Sequence, residues 1–247
     1  MPRMKHLVVL AFWLALSWAL PSSGRALTLS QLESATRTLI RDTSSDTNFQ
    51  RFSTSQIDAF LNEAHRQMQN DAWLYQGAFA MSLTSGTIEY PLPADYIATV
   101  RVTISSMAIV QRSFQDLDQN STNWTLPTST PTAYFIDSYV AGTPSKIGFY
   151  PNPKYTSTNP VFIQYVRQVP TLVDPTDVPF GGNSELLPYH DALADFAAAR
   201  AWQLLGRPDL STWLMTLYSS RVAEARANIN KQPNWLPGAQ GDRGPKQ

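Results

Sequence analysis

TIEYPLPADY, residues 87–96, stands between two β-prone runs, TIEYP at 87–91 and IATVRVTI at 97–104. Pro91 and Pro93 lack an amide donor and fix their own φ, and each pushes the preceding residue into an extended conformation. The first strand must end cleanly here, and Asp95 is placed to cap the turn before a new strand starts at Ile97. Pro91, Pro93 and Asp95 are therefore the predicted structural corner, and the fold follows from what lies on either side of it.

On both sides the pattern is β. The segments 77–83, 133–136, 147–150 and 161–167 join the two runs above as short stretches rich in β-branched and aromatic residues, separated by Gly, Pro, Asn and Ser. They predict an antiparallel sheet or small sandwich over about 77–168. Val100, Val102 and Ile104 face one way while Arg101, Thr103 and Ser105 face the other, as in a half-buried strand. SFQDLDQNSTNW, 113–124, reads as a short helical turn followed by a polar loop.

Further out the period becomes helical. Ser30 with Glu33 is a capping-box pair that opens a helix at 30–41, and Ser53 with Gln56 opens another at 54–70. In the second, Ile57, Phe60, Leu61, Ala64 and Met68 form one apolar stripe. The opposite face, Asp58, Asn62, Glu63, Arg66 and Gln69, reads as solvated. After the β region, Leu186, Tyr189, Leu193, Phe196, Ala197 and Leu204 share a face of an alanine-rich helix at 185–205 that Gly206 and Pro208 end. Asp209 or Ser211 opens a last helix at 210–230, and the short turn predicts antiparallel packing of the pair. Residues 233–247, rich in Pro, Gly and polar side chains, read as an extended tail.

Composition narrows the function. Nineteen basic and nineteen acidic side chains leave no net field to attract nucleic acid or an anionic membrane, and the absence of cysteine removes disulfides, thiol nucleophiles and thiolate metal sites. His6, His65 and His190 are the three imidazoles, too scattered in sequence to announce a metal site. Residues 1–26 carry Arg3 and Lys5 before LVVLAFWLALSWAL and small residues near Ala26, so they read either as a secretory signal or as translation assigned upstream of the true start. That apolar run is shorter than the roughly 18 residues of a membrane span, which argues against a stable anchor.

No phosphate-binding loop, nucleophile elbow or zinc helix is present in the sequence. Glu89 and Asp95 are the one carboxylate pair to nominate for general acid and base work, against the plainer reading of a turn cap and a residue on the wet face of a strand. Asn120 and Asn123 begin glycosylation sequons in a loop where such triplets arise by chance. Phe149, Tyr150, Phe162 and Tyr165 could stack on sugars, although core packing is the commoner fate of strand aromatics.

Taken in order, LSQLESATRTLIRD, FSTSQIDAFLNEAHRQMQ, YPLPADY, TPTAYFI, IGFYPNP, IQYVRQVP and PYHDALADFAAARAWQLLGRPD resemble the head-to-tail adaptor (connector) proteins of tailed phages. The resemblance implies an α+β fold in which N- and C-terminal helices form a bundle carrying an inserted antiparallel β-rich region and an extended C-terminal tail. It divides the chain into the segment 1–26, an adaptor domain at 27–232 and the tail at 233–247. It further implies a structural virion protein at the head–tail interface, without cofactor or catalysis, that forms a homo-oligomeric ring, a dodecamer in that family. Its partners would be the portal protein and tail or nozzle proteins. Portal docking would fall to the last helix and tail, at Ile229, Trp235 and Leu236, and the 91–95 corner would hold each copy at the angle a closed ring needs. An export signal at 1–26 departs from assembly in the host cytoplasm. It keeps open an exported or virion-borne peptidoglycan hydrolase, or a secreted or periplasmic carbohydrate-binding protein.

Overall fold

The computed structural model describes residues 26–47, 50–120, 124–137, 145–156 and 160–230. The signal-like segment, the tail with Trp235 and Leu236, and Asn123 of the second sequon lie outside the described residues. The chain is mixed α and β, with five α-helices among the described residues: α1 (Leu29–Leu39), α2 (Thr54–Ala72), α3 (Phe114–Asn120), α4 (Asp191–Leu204) and α5 (Pro208–Asn230).

Two capping boxes start the first pair of helices. α2 opens as its sequence predicts, with the Ser53 hydroxyl accepting from the Gln56 amide while the Gln56 side chain accepts from the Ser53 amide. α1 uses a different pair from the expected Ser30 and Glu33: Thr28 caps and Gln31 reciprocates. Both pairs fit the spacing, but Glu33 is taken up by Arg37, 3.0 Å away, so the earlier pair supplies the box. Trp73 ends α2 in the left-handed region at φ 54, which turns the chain directly into the sheet.

α4 starts at Asp191 rather than near 185, because Pro188 lies in a short 3-10 turn, Leu187–Tyr189, ahead of it. α5 starts at Pro208, not at Asp209 or Ser211; proline suits a first helical position, where its missing N–H is no loss. Gly206, at φ +68, makes the reversal between the two helices.

The strands are β1 (Gln76–Met81), β2 (Glu89–Pro91), β3 (Tyr96–Ile104), β4 (Met107–Gln111), β5 (Pro127–Ser129), β6 (Ala133–Asp137), β7 (Lys146–Tyr150), β8 (Asn152–Pro153) and β9 (Val161–Arg167). Seven form a curled sheet in the order β1-β9-β3-β4-β6-β7-β2, and β5 pairs with β8 separately. The six strands expected from sequence are all present, with ends shifted by a few residues. The purely antiparallel expectation is corrected, since β4 pairs with β6, and β5 with β8, in parallel. β4 escaped the sequence reading because its side chains are mostly exposed and carry no alternation of burial.

Two hydrophobic clusters result. Leu32, Ile57, Leu61, Met68, Leu193, Phe196, Leu214 and Tyr218 belong to one, with Phe60 packed against it, so both terminal helical regions share a core. α4 lies at its centre: Ala192, Ala194, Ala197, Ala198, Ala199 and Ala201 are all buried, and their small side chains let helices approach from several sides. The second cluster fills the curl of the sheet with Val102, Ile104, Tyr134, Ile147, Phe149, Val161, Ile163 and Tyr165. Phe149 and Tyr165 are thus core residues, while Phe162 stands on the outer face with 49% of its surface exposed.

Candidate functional site: a polar brace between helices and sheet

The corner builds from Pro91 outward. Leu92 is buried and its amide donates to the Ser145 carbonyl at 2.9 Å, which holds the chain against the start of β7. Tyr96 N–H then donates to the Pro93 carbonyl at 3.0 Å, closing the turn that delivers β3. The role expected of Asp95 changes. Instead of capping that turn, its carboxylate reaches across to β9, accepting from Arg167 Nε at 2.7 Å and from the Tyr165 hydroxyl at 3.1 Å. Its carbonyl accepts from the Gln168 amide at 2.7 Å. A cationic donor one strand away is a stronger partner for a carboxylate than a local amide.

Arg167 carries the connection onward. Its guanidinium lies over the Tyr75 ring, 5.0 Å from the centroid, and its stem lies against Gly77, where a Cβ would come within 2.4 Å of Cδ. The Tyr75 carbonyl accepts from the Arg167 amide at 2.9 Å. Gln69 of α2 completes the join: its Nε2 donates to the carbonyls of Tyr75 and Arg167 at 2.9 and 2.7 Å, and its Oε1 accepts from the Tyr75 amide at 2.7 Å. One carboxamide thereby satisfies three backbone groups where α2, β1 and β9 meet. The chain of contacts Gln69–Tyr75–Arg167–Asp95 fastens the sheet to the helices.

Gln69 is not alone. Asn62, two turns earlier, donates to the Leu172 carbonyl at 2.9 Å and accepts from the Leu172 amide at 2.8 Å. Between them His65 Nε2 accepts from the Phe180 amide at 3.0 Å, with the two rings edge to face. The expectation that Asn62 and Gln69 lie on a solvated face is therefore overturned, since both are buried. A carboxamide has donor and acceptor on one short arm, so it can pair with a passing backbone without leaving a polar group unmet. Only the route of the distant segments 167–180 reveals this, and no local period signals it.

The electrostatics fit a brace. Burial works to raise the Asp95 pKa, but the hydrogen bonds from Arg167 and Tyr165 and the Arg167 charge outweigh it and hold the carboxyl below its ordinary value. The bond to Asp95 in turn raises Arg167. A general acid needs the opposite shift. Glu89, the other nominated carboxylate, lies in β2 beside Lys146 at 3.3 Å, on the wet side as expected of a surface strand residue. His65 and His190 are both buried and both held near 4, chiefly by desolvation. His190 Nδ1 accepts from the Leu27 amide at 3.3 Å, so each imidazole pins a backbone segment. Among the described residues no group of three or more His, Cys, Asp or Glu side chains could hold a metal ion.

Of the residues expected to dock a partner, Ile229 is buried in the helical core, 8% exposed, while Trp235 and Leu236 lie outside the described residues. Large apolar side chains are exposed at Leu204 and Trp213 near the α4–α5 turn, and at Met107 and Val110 of β4. No described helix is long and apolar enough to cross a membrane. Among curated proteins no relative matches the chain. Residues 27–240 match the SU10 adaptor protein family, covering both terminal helical regions, the sheet and the corner, and the chain belongs to that family of phage head–tail adaptors.

Proposed function

We propose that this phage structural adaptor forms a homo-oligomeric ring, a dodecamer by the family resemblance, that joins the portal to the tail. The observation that carries the proposal is the brace. A ring closes only if every copy presents the same angle to its neighbour, and Gln69, Tyr75, Arg167 and Asp95 fix the sheet against the helices at the 91–95 corner. Portal docking belongs to the end of α5 and the tail, through Trp235 and Leu236, with Ile229 anchoring the base of that segment in the core. The tail then gains its contacts on the portal, and the completed ring offers its sheets to the next tail component.

The test is light scattering on size-exclusion peaks of the full chain and of a chain ending at Asn230, each alone and with purified portal rings. The expected result is a stoichiometric complex with the full chain and none with the shortened one, at equal thermal stability. A full chain that stays monomeric beside portal rings at high concentration would overturn the proposal.

A further inference from the structure

A groove runs along α5 where the end of α2 meets it. Tyr218 and Val222, both buried, form its floor, Ala223, Arg226 and Ala227 its α5 side, and Asp71 of the last turn of α2 its opposite rim, around about 450 Å³. Most of its lining surface is apolar. The Asp71 carboxylate accepts from the Tyr218 hydroxyl at 2.9 Å and from the Gln67 side chain at 2.8 Å, and a carboxylate has acceptor sites beyond these two.

The groove opens toward the place where the described chain stops. Ala227 stands three residues before Asn230, the last residue of α5, and Tyr218 twelve before it. At the rise of an α-helix those positions lie about 4.5 and 18 Å back along the axis. Trp235 is five residues beyond Asn230, and at about 3.3–3.6 Å per extended residue it reaches roughly 17 Å, enough to return past Ala223. Trp235 and Leu236 are the large apolar residues of 231–247, and Pro233 and Pro237 bracket them. The family match runs to residue 240, so these positions belong to the adaptor pattern.

The segment 1–25 begins near the same end of the helix pair, since Leu27 donates to His190 and Asn228 donates to the Tyr189 hydroxyl. Its apolar run, 7–20, has fourteen residues. From Tyr218 to Ala227 the groove is only about 14 Å long, so it would leave most of that run uncovered, whereas one indole and one leucine side chain match it.

We propose that Trp235 and Leu236 seat in this groove of their own chain until the portal takes them up. Pro233 cannot continue a helix, so the chain leaves the α5 axis there. The indole lies under the Arg226 guanidinium and donates its N–H to Asp71, and Leu236 covers Val222 and Ala223. A five-residue tether supplies an effective concentration on the order of millimolar, so modest contacts suffice. The consequence rests on the portal reading of the tail: the docking residues stay covered until a portal competes for them.

The test uses the full chain. Emission of Trp235, taken as the difference between the parent and Trp235→Phe, should be less open to acrylamide quenching than in a free peptide of residues 231–240. Ala223→Arg, at an exposed position, should remove that protection while leaving the urea midpoint in place. The same peptide, labelled for fluorescence polarisation, should saturate the chain carrying Trp235→Ala and Leu236→Ala below about 1 mM and bind the parent at least about tenfold more weakly. Quenching equal to the free peptide's, or equal peptide binding by both chains, would overturn the proposal. A groove opened to the peptide by Phe12→Ser with Trp13→Ser instead would overturn it by making 1–25 the occupant. Protection lost on dilution would do so by making the occupant a second copy's tail. Portal binding in the light-scattering test is a separate readout, so failure here leaves the portal reading standing.

Discussion

Gln69 shows how much one side chain can carry. Replacing it with Ala strips the Gln69 partner from the Tyr75 amide and the Arg167 carbonyl, while the Tyr75 carbonyl keeps the Arg167 amide, and a buried unmet backbone group costs about 1–3 kcal/mol. Gln69→Ala should lower stability by roughly 2–4 kcal/mol in urea melts. Gln67→Ala, which loses one exposed bond to Asp71, should stay within about 0.5 kcal/mol. The buried histidines make a second prediction at this scale. Desolvation lowers His65 from 6.5 to about 4, with His190 and Arg66 adding charge repulsion, and desolvation alone lowers His190 to about 4. An imidazole depressed in this way binds fewer protons folded than unfolded. Its contribution is complete above pH 6.5 and is lost as pH falls toward 4, on the order of 3 kcal/mol per histidine at most. Urea midpoints should drop between pH 7 and pH 5, and His65→Gln should flatten that slope. Asp195 behaves oppositely. Burial lifts it to about 6 against the pull of Arg221 at 3.0 Å, so stability present below 3.8 is lost as pH rises through about 6. Asp195→Asn should therefore be neutral near pH 3.5 and raise the urea midpoint at pH 8.

At the scale of elements, the pairing of β6 with β7 turns on a close approach. Phe135 lies directly opposite Gly148, and a Cβ there would fall 2.0 Å from the Phe135 ring. That ring is also packed by Phe114 of α3, at 4.8 Å between centroids, and by Trp124, at 5.4 Å. It has nowhere to retreat. Gly148→Ala should cost about 1–3 kcal/mol, read as a lowered thermal midpoint. The near-ultraviolet dichroism of the aromatic cluster should change with it. Gly148→Ala together with Phe135→Leu should recover part of the loss. A single substitution that leaves both signals unchanged would show that the two strands do not meet as described.

At the scale of the whole molecule, the Asp95–Arg167 end of the brace is expected to matter more for geometry than for stability. Asp95 and Arg167 are each about a third exposed, so Arg167→Ala should cost the single chain only about 1 kcal/mol. Under the proposed ring role it should cost far more in assembly, because small errors in the angle between sheet and helices accumulate around a closed ring. The expected outcome is a folded chain with a thermal midpoint close to the parent's and a scattering profile shifted from closed rings toward monomers and open arcs. Rings forming at parental yield would remove the brace from the assembly mechanism.

Local chemistry in the sequence determined the elements. The prolines at 91 and 93 close β2, Ser53 with Gln56 starts a helix, and Gly206 ends one, because each acts through its own backbone or a neighbour's. The order of those pieces was enough to place the chain among phage adaptors. The tertiary structure decided which polar residues are buried and what they hold. Asn62, His65 and Gln69 look like any helical surface until segments 167–180 pass over them, and Asp95 looks like a turn cap until Arg167 arrives from β9. Those partners lie tens of residues away or more, and hydrogen bonds across such a distance leave no period for a sequence to display.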